Sequence, residues 1–343
     1  MKFYKLAETF KTFAERECNN SSELYESLSM KISEDPHILE LSSYASPGQP
    51  VPNLLFGAVH YLLLKGTDHP LARFYASINT NPRSPEAAFL SFKEFCSVHQ
   101  EQIIELLQTK LVQTNEVRRC GYLFPAFSHI YEITHKPLAL IEIGTSAGFQ
   151  LLWDHYSYSY GTGEVYGSSE SGVFIQSEIK GKGQLLFPDS APPVKARYGV
   201  DLHMNDMGNQ ENSLWMKALI WPEHHDRRAL FEKAVHCMNK NQEKITFIEG
   251  DGVELLPNIA GRIPKEFTVV VFHTHVANQI PYDTKLKLLE TIETIAVERD
   301  IFHLYNNIRD HYLRLDSFVD GVNDHKLVAE TDGHGRWFDW RLA

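Results

Sequence analysis

The segment over residues 138–148 has the residue types and spacing best suited to chemistry. It reads Leu-Ala-Leu-Ile-Glu-Ile-Gly-Thr-Ser-Ala-Gly, so an apolar strand leads into a turn between Gly144 and Gly148. Glycines permit backbone conformations that other residues avoid, and a helix predicted over 147–155 would present its first amides unpaired to a ligand. The pattern is typical of two sites. One is a nucleotide or S-adenosylmethionine (SAM) pocket that includes Thr145 and Ser146, and the other is a Gly-x-Ser-x-Gly hydrolase elbow with Ser146 as nucleophile.

Two histidines follow a second apolar run. His273 and His275 are separated by one residue at the end of a strand predicted over 268–273. Side chains alternate along a strand, so we expect both imidazoles on one side, where they can act as acid and base. No carboxylate or further histidine stands at metal-ligand spacing, so the sequence predicts no metal site.

A third group of polar residues lies among apolar helices. Gln113, Asn115 and Glu116 are followed by Arg118 and Arg119. Buried polar groups need hydrogen-bond partners, so this run is a candidate substrate-binding segment reaching over the crevice of a neighbouring domain. A solvated helix start capped by residue 114 or 115 explains the same residues equally well.

The elements that must position these groups change near Pro137. Helical periodicity predicts an all-helical region over residues 1–135, and strands alternate with helices over residues 136–343. Strands are predicted over 138–143, 196–202, 245–249, 268–273 and 301–305, with helices over 147–155, 213–239, 252–259 and 283–298. This α/β alternation predicts a doubly wound, mainly parallel sheet with a ligand crevice beyond the carboxyl ends of its strands.

Two further segments complete the predicted second domain. Residues 326–330 and 337–342 flank a turn of Asp-Gly-His-Gly and predict an antiparallel C-terminal hairpin. Residues 156–195 are rich in Tyr, Gly and Ser and are interpreted as an inserted lid or hairpin.

Composition limits the possible partners. The chain has 343 residues, 43% of them hydrophobic, and a formal net charge of -11. This charge argues against a broad grip on nucleic acid or anionic membrane, so a small-molecule substrate is expected. The four cysteines show no metal or disulfide spacing, and no window resembles a signal peptide or membrane span, so a cytoplasmic location is expected. The oligomeric state is left open.

The order of predicted elements resembles that of class I SAM-dependent methyltransferases. Gly144, Thr145, Ser146 and Gly148 stand where that family has its glycine-rich loop, although Ser146 replaces the usual central glycine. The resemblance implies that three acidic residues bind the cofactor: Glu142 in the first strand, Asp201 after the second on the ribose, and Asp251 after the third near the adenine amine. It places His273 and His275 where substrate-facing chemistry usually lies.

More specifically, the chain resembles the bacterial family DUF2332, a domain of unknown function. The resemblance is carried by five segments spread over most of the chain, residues 49–64, 112–116, 141–148, 197–202 and 220–223. This family implies the architecture and leaves the activity open.

These observations predict a SAM-dependent methyltransferase acting on a small polar acceptor, with His273 or His275 removing a proton. Two alternatives stay open. The first is a serine hydrolase with Ser146, Asp251 and His334 in triad order, although its elbow would normally follow several strands of the same sheet. The second is a non-catalytic ligand-binding or regulatory module on a degenerate Rossmann-like fold.

Overall fold

A computed structural model describes residues 3–181, 183, 185, 187–188 and 191–342. The chain divides into two compact units, Met1–Thr114 with Asn209–Ala229 and Asn115–Gly208 with Leu230–Ala343. The predicted border at residue 135 differs from this division. Residues 120–134 belong to the second unit because Phe124 and Phe127 pack against Trp153, with ring centroids 5.8 and 4.9 Å apart.

The helices and strands are numbered in chain order. The α-helices are α1 Tyr4–Phe13, α2 Glu23–Ile32, α3 Pro36–Ser42, α4 Val51–Leu64, α5 Ala88–Val98, α6 Gln100–Thr109, α7 Cys120–Thr134, α8 Gln210–Ala218, α9 His225–Asn241, α10 Gly252–Arg262 and α11 Tyr282–Ala296. The strands are β1 Leu138–Ile143, β2 Ser157–Ser159, β3 Tyr166–Gly167, β4 Phe174–Gln176, β5 Glu178–Lys180, β6 Val194–Asp201, β7 Thr246–Glu249, β8 Thr268–His273, β9 Ile301–Tyr305, β10 Leu313–Val319, β11 Val322–Thr331 and β12 Trp337–Trp340. Short 3-10 helices lie at Pro70–Phe74, Pro85–Ala87, Val117–Arg119, Phe149–His155, Gln242–Lys244 and Val276–Asn278, and a π-helix at Ala14–Cys18.

The first unit is helical and is built around α4. The Phe56 ring of α4 stacks on Tyr25 at 4.2 Å between centroids. Glu223 accepts hydrogen bonds from the Ser22 hydroxyl and the Leu24 amide at the start of α2, at 2.8 and 3.1 Å. The segment over residues 220–223 therefore has a structural role within this unit, because its carboxylate satisfies amide and hydroxyl donors at a helix start.

The second unit contains a nine-stranded sheet in the order β5-β12-β11-β10-β9-β8-β1-β6-β7. The five strands from β9 to β7 in this order are parallel neighbours. On the other side of β9, strands β10, β11 and β12 pair antiparallel in succession. The prediction of a mixed α/β fold with a large, mostly parallel sheet is confirmed, as is the antiparallel pairing of the C-terminal hairpin strands.

Helices cover both faces of the parallel strands. On one face, Leu256 of α10 and Leu288 of α11 join the core formed by alternate residues of β1 and β8 such as Ile141 and Val271. On the other face, Phe127 of α7 packs edge-on against Phe272 of β8 at 5.2 Å. Burial on both faces explains why β1 and β8 are apolar throughout almost their whole length.

The predicted insertion is neither a single lid nor a single hairpin. Strands β2, β3 and β4 form a separate three-stranded sheet, whereas β5 pairs parallel with β12 at the edge of the large sheet. Within this segment, residues 182, 184, 186, 189 and 190 lie outside the described residues.

Two further differences from the sequence prediction concern a helix and a strand. The helix predicted over 213–239 is two helices, α8 and α9, because Pro222 between them lacks the amide that a continuous helix requires. Strand β10 was missed, since its apolar alternation is interrupted by the buried Asp316. No helix among the described residues is long and apolar enough to cross a membrane.

Candidate functional site

The turn after β1 requires its two outer glycines. Gly144 and Gly148 have φ values of +72° and +76°, in the left-handed region. A Cβ atom on Gly144 would lie 2.3 Å from a methyl carbon of Val276, and one on Gly148 would lie 2.8 Å from the Phe247 ring. Conformation and close packing therefore both select glycine here. Ser146 has a φ of +52° and adopts the same region with a side chain.

The amides of this turn are engaged within the protein. Those of Gly144 and Thr145 donate to the Val200 carbonyl at 2.8 and 3.2 Å. The amide of Gly148 donates to the Thr145 carbonyl at 2.8 Å. The Phe149 amide donates to Oδ1 of Asn115 at 2.9 Å. The expectation of unpaired amides after the turn is therefore wrong for Gly148 and Phe149, and the element that follows is a 3-10 helix that begins at Phe149.

Strand β6 contributes three residues that hold the turn in place. Oδ2 of Asp201 accepts a hydrogen bond from the Ser146 amide at 2.8 Å, and Oδ1 accepts one from the His203 amide at 3.1 Å. Arg197 donates from Nε to the Leu151 carbonyl at 2.9 Å, which fixes the 3-10 helix. Gly199 has no side chain, and a Cβ there would lie 2.9 Å from Thr145. The segment over residues 197–201 therefore acts as the support of the turn.

A cavity of about 220 Å³ lies directly beside Ser146. The Ser146 hydroxyl accepts a hydrogen bond from Nδ2 of Asn205 at 3.1 Å. The cavity lining combines apolar side chains with amides and one carboxylate: Ser146, Ala147, Met204, Asn205, Asp206, Met207, Met238, Gln242 and Phe247. Flexible methionines adapt to the shape of an apolar ligand, and the few polar groups can fix its orientation.

Glu142 is a buried carboxylic acid next to the turn. It is 2% exposed, and its Oε2 accepts a hydrogen bond from the Thr145 hydroxyl at 2.6 Å. Burial raises the pKa of Glu142 to about 8, although the Thr145 hydrogen bond opposes the shift; nearby Asp201 adds to it and Arg119 reduces it. Carboxyl groups with strongly shifted pKa values are concentrated at functional sites. The raised pKa of Glu142 therefore indicates a candidate functional site around the turn.

Asp251 has a local role at the start of α10. Its Oδ1 accepts hydrogen bonds from the amides of Val253 and Glu254 at 2.8 and 3.3 Å, which makes Asp251 the N-cap. It is exposed and does not line the cavity beside Ser146. Its assignment to the adenine amine stays a prediction.

The two predicted catalytic histidines differ in their surroundings. His273 is the last residue of β8 and is 0% exposed. His275 lies beyond the strand with a φ of +61°, so the two residues do not alternate along one strand as expected. Burial lowers the pKa of each imidazole to about 3, and nearby Arg119 lowers that of His275 further. Both are therefore neutral at pH 7, and their catalytic role stays a prediction.

Two of the three predicted substrate-binding residues belong to the second unit. Asn115 is buried and holds the Phe149 amide. Oε1 of Glu116 accepts from the Arg118 amide at 3.2 Å, and its Oε2 lies 3.6 Å from Nδ1 of His334. Gln113 belongs to the first unit. Their contact with a substrate stays a prediction.

Sequence reasoning did not identify the polar group around Thr274. Its hydroxyl donates to Oε1 of Gln150 at 3.0 Å, and Nη1 of Arg119 donates to the Thr274 carbonyl and hydroxyl, both at 3.4 Å. The members of this group come from three separate segments of the chain, so no local pattern connects them. In the sequence, only the adjacent pair Arg118 and Arg119 indicated a possible binding segment. Within the described residues, no set of three or more His, Cys, Asp or Glu side chains is arranged to hold a metal ion.

These features define a mixed α/β protein with a glycine turn and an adjoining cavity at the carboxyl end of a central strand. A family model described as "Uncharacterized protein conserved in bacteria (DUF2332)" matches residues 7–340, and the chain belongs to this family. No curated protein and no solved structure matches the chain.

Proposed function

We propose that the second unit binds SAM in the cavity beside Ser146 and transfers its methyl group to a small polar acceptor. The observation that carries this proposal is the position of the cavity. It adjoins the turn after β1 in a sheet whose parallel strands run in the order β7-β6-β1-β8-β9. The same order of parallel strands occurs in doubly wound nucleotide-binding sheets, whose ligands lie beyond the carboxyl ends of the strands, so it supports a nucleoside site beside this turn.

The lining of the cavity fits the nucleoside part of SAM. Met204, Met207 and Phe247 offer apolar surface to the faces of a flat ring, and Asn205 and Asp206 offer polar groups to its edge. A cavity of about 220 Å³ is smaller than most sites for drug-sized ligands, so the remainder of SAM would extend out of it.

The engaged amides favour SAM over a dinucleotide. Dinucleotide folds use free amides at the start of the helix to bind a pyrophosphate. Here the Gly148 and Phe149 amides donate to the Thr145 carbonyl and the Asn115 side chain, and SAM has no phosphate that would need them. The Asp201 carboxylate accepts the Ser146 amide at 2.8 Å and therefore lies beside the cavity, where it would bind a ribose hydroxyl of SAM.

When bound, SAM supplies an electrophilic methyl group on a sulfonium. The chain would align the acceptor with this methyl group and remove its proton. His275 is neutral at pH 7 and has an unpartnered, buried Nε2, so it is available as a proton acceptor. A base is most effective with a pKa near the operating pH, and a bound anion that offsets the field of Arg119 would raise the pKa of His275 towards it.

The hydrolase alternative is less well supported. Among the described residues, the Ser146 hydroxyl has Asn205 as its hydrogen-bond partner and no histidine. Asp251 caps α10, and Nδ1 of His334 lies 3.6 Å from Glu116, so among the described residues no hydrogen bond or ion pair joins the three members of the suggested triad. Nucleophile and base must come within hydrogen-bond reach for that mechanism.

Calorimetric titration with SAM, S-adenosylhomocysteine and NAD tests the proposal. We expect micromolar binding of the first two ligands and none of NAD. Met204→Trp should fill the cavity and weaken binding by at least about tenfold, since a bulky ring would occupy the ligand volume. Leu202→Trp is the matched control, because Leu202 is in the same loop, is 61% exposed and does not line the cavity. Absence of SAM binding, or equal binding by both variants, would refute the proposed site.

Gly144→Val is not a suitable variant for this test. Its Cβ would collide with Val276 and its φ is left-handed, so loss of binding would be accompanied by loss of structure.

A further inference from the structure

Arg119 is a half-buried cation without a carboxylate partner. Its Nε donates to the Gly333 carbonyl at 3.0 Å, and its Nη1 donates to Thr274. Among the described residues, no carboxylate lies within ion-pair distance of this guanidinium. Arginine carries five N–H donors in a planar fork, so these contacts leave the second terminal nitrogen available.

His275 lies against the same short segment of backbone. A Cβ atom on Gly333 would be 3.9 Å from Cε1 of His275, and Arg119 donates to the carbonyl of this glycine. Nε2 of His275 is buried and has no hydrogen-bond partner. A guanidinium and an imidazole, each with unused hydrogen-bonding capacity, therefore meet at the turn between β11 and β12.

The neighbouring acids are already engaged. Asp332 is bound by Arg336 through two hydrogen bonds, at 3.0 Å from Nε to Oδ2 and 2.8 Å from Nη2 to Oδ1. Arg336 and burial act in opposite directions, and the net effect lowers the pKa of Asp332 to about 2. Glu116 lies 3.6 Å from His334. Arg119 therefore keeps a positive charge that no carboxylate among the described residues pairs with at ion-pair distance.

We propose that Arg119, beside His275, binds a carboxylate group of the acceptor substrate. A planar guanidinium matches a carboxylate through two parallel hydrogen bonds, and one uncompensated positive charge suits a monoanion better than a phosphate dianion. The substrate class is thus a small carboxylic acid that also carries the methyl-accepting group. The identification as an acceptor rests on the proposed function, whereas the anion site itself does not.

The position of this anion site agrees with that role. Thr274 joins Arg119 to Gln150, which lies two residues after Gly148. Arg119 is also close enough to Glu142 to lower its pKa. A carboxylate bound by Arg119 would therefore lie near the end of β8 and beside the segment that follows the glycine turn.

Formate is the smallest carboxylate and tests the anion site without steric demands. Line broadening of ¹³C-formate should show saturable binding to the wild-type protein, and neutral formamide should not bind. Arg119→Gln should weaken formate binding by at least about tenfold, the cost of losing a charge-assisted hydrogen bond. Arg118→Gln removes the same charge from the adjacent residue, which makes none of these contacts with Thr274 or Gly333, and should bind formate as the wild type does.

Each outcome has a defined meaning. Equal formate binding by Arg119→Gln and the wild type, no saturable formate binding, or tighter binding of inorganic phosphate than of formate would overturn the carboxylate site. SAM titration of the same variants keeps the two proposals apart. Arg119-dependent formate binding without SAM binding would refute the methyltransferase and retain the anion site. SAM binding without formate binding would refute the anion site and retain the methyltransferase. Unchanged circular dichroism of Arg119→Gln shows that the loss arises in a folded protein.

Discussion

At the scale of single residues, the buried carboxyl group of Glu142 reduces the free energy of unfolding at neutral and alkaline pH. A carboxyl group whose pKa is raised from 4.5 to about 8 keeps its proton in the folded protein at pH values where the unfolded chain has lost it. The folded state therefore binds more protons between these two values, and the free energy of unfolding falls as pH rises through this window. A buried, destabilising carboxyl group beside a glycine turn and a cavity is typical of functional sites, where residues are retained for activity although they reduce stability.

Glu142→Gln should remove this pH dependence. Glutamine keeps the hydrogen bond with Thr145 and carries no charge at any pH. We expect the variant to be similar in stability to the wild type at pH 5 and more stable at pH 9, by on the order of a few kcal/mol. Denaturant unfolding at both pH values measures the difference. An equal effect at pH 5 and pH 9 would contradict the raised pKa.

Ser146 allows a second test at the residue scale. Its left-handed backbone disfavours any side chain, so Ser146→Gly should be more stable than Ser146→Ala by roughly 1 kcal/mol, since both variants lose the hydrogen bond with Asn205. Denaturant midpoints provide the comparison. Both variants should bind SAM within about tenfold of the wild type. Stoichiometric labelling of Ser146 by a fluorophosphonate, lost in the alanine variant, would instead support the hydrolase.

At the scale of elements, the positions of the strands were more predictable from the sequence than the long-range hydrogen bonds that hold the segments after them in place. The glycine turn and strands β1 and β8 follow from local apolar runs, which burial on both faces of a sheet imposes. The contact of Asn115 with the Phe149 amide joins residues 34 apart in the chain. No local periodicity encodes such a contact. The sequence therefore identified Asn115 as a candidate site residue without identifying the Phe149 amide as its partner.

Asn115→Ala tests this long-range support. The variant leaves the buried Phe149 amide unpaired, which should reduce the free energy of unfolding by about 1–3 kcal/mol. It should also weaken SAM binding, because the 3-10 helix after the glycine turn loses its first amide contact. Thr114→Ala changes an exposed neighbour and should alter stability by less than about 0.5 kcal/mol. Equal effects of the two substitutions in thermal melts would show that Asn115 does not hold the turn.

At the scale of the whole molecule, acid sensitivity should differ between the two units. His273 and His303 of the second unit are 0% exposed, their ring centroids are 5.3 Å apart, and their ring nitrogens lack partners among the described residues. Burial lowers the pKa of His303 well below 6.5, and that of His273 to about 3. In the first unit, burial also lowers the pKa of His60 to about 3, but its two ring nitrogens contact the Ala218 carbonyl and the Ser77 hydroxyl at 2.8 Å.

Because the nitrogens of His273 and His303 have no partner among the described residues, whereas those of His60 have two, we expect the second unit to open first in acid. A histidine with a lowered pKa binds fewer protons folded than unfolded, so its stabilising effect is complete above pH 6.5 and is lost progressively as pH falls towards 3. Hydrogen exchange at pH 4.5 should therefore accelerate in peptides containing β8 and β9 before it does in peptides containing α4. His303→Phe should delay this opening, because an apolar ring of similar size has no nitrogen to leave unpaired or to protonate. His236→Phe is the control, because this histidine of the second unit is exposed. Simultaneous opening of both units, or an equal delay in the two variants, would contradict a role for the buried histidine pair.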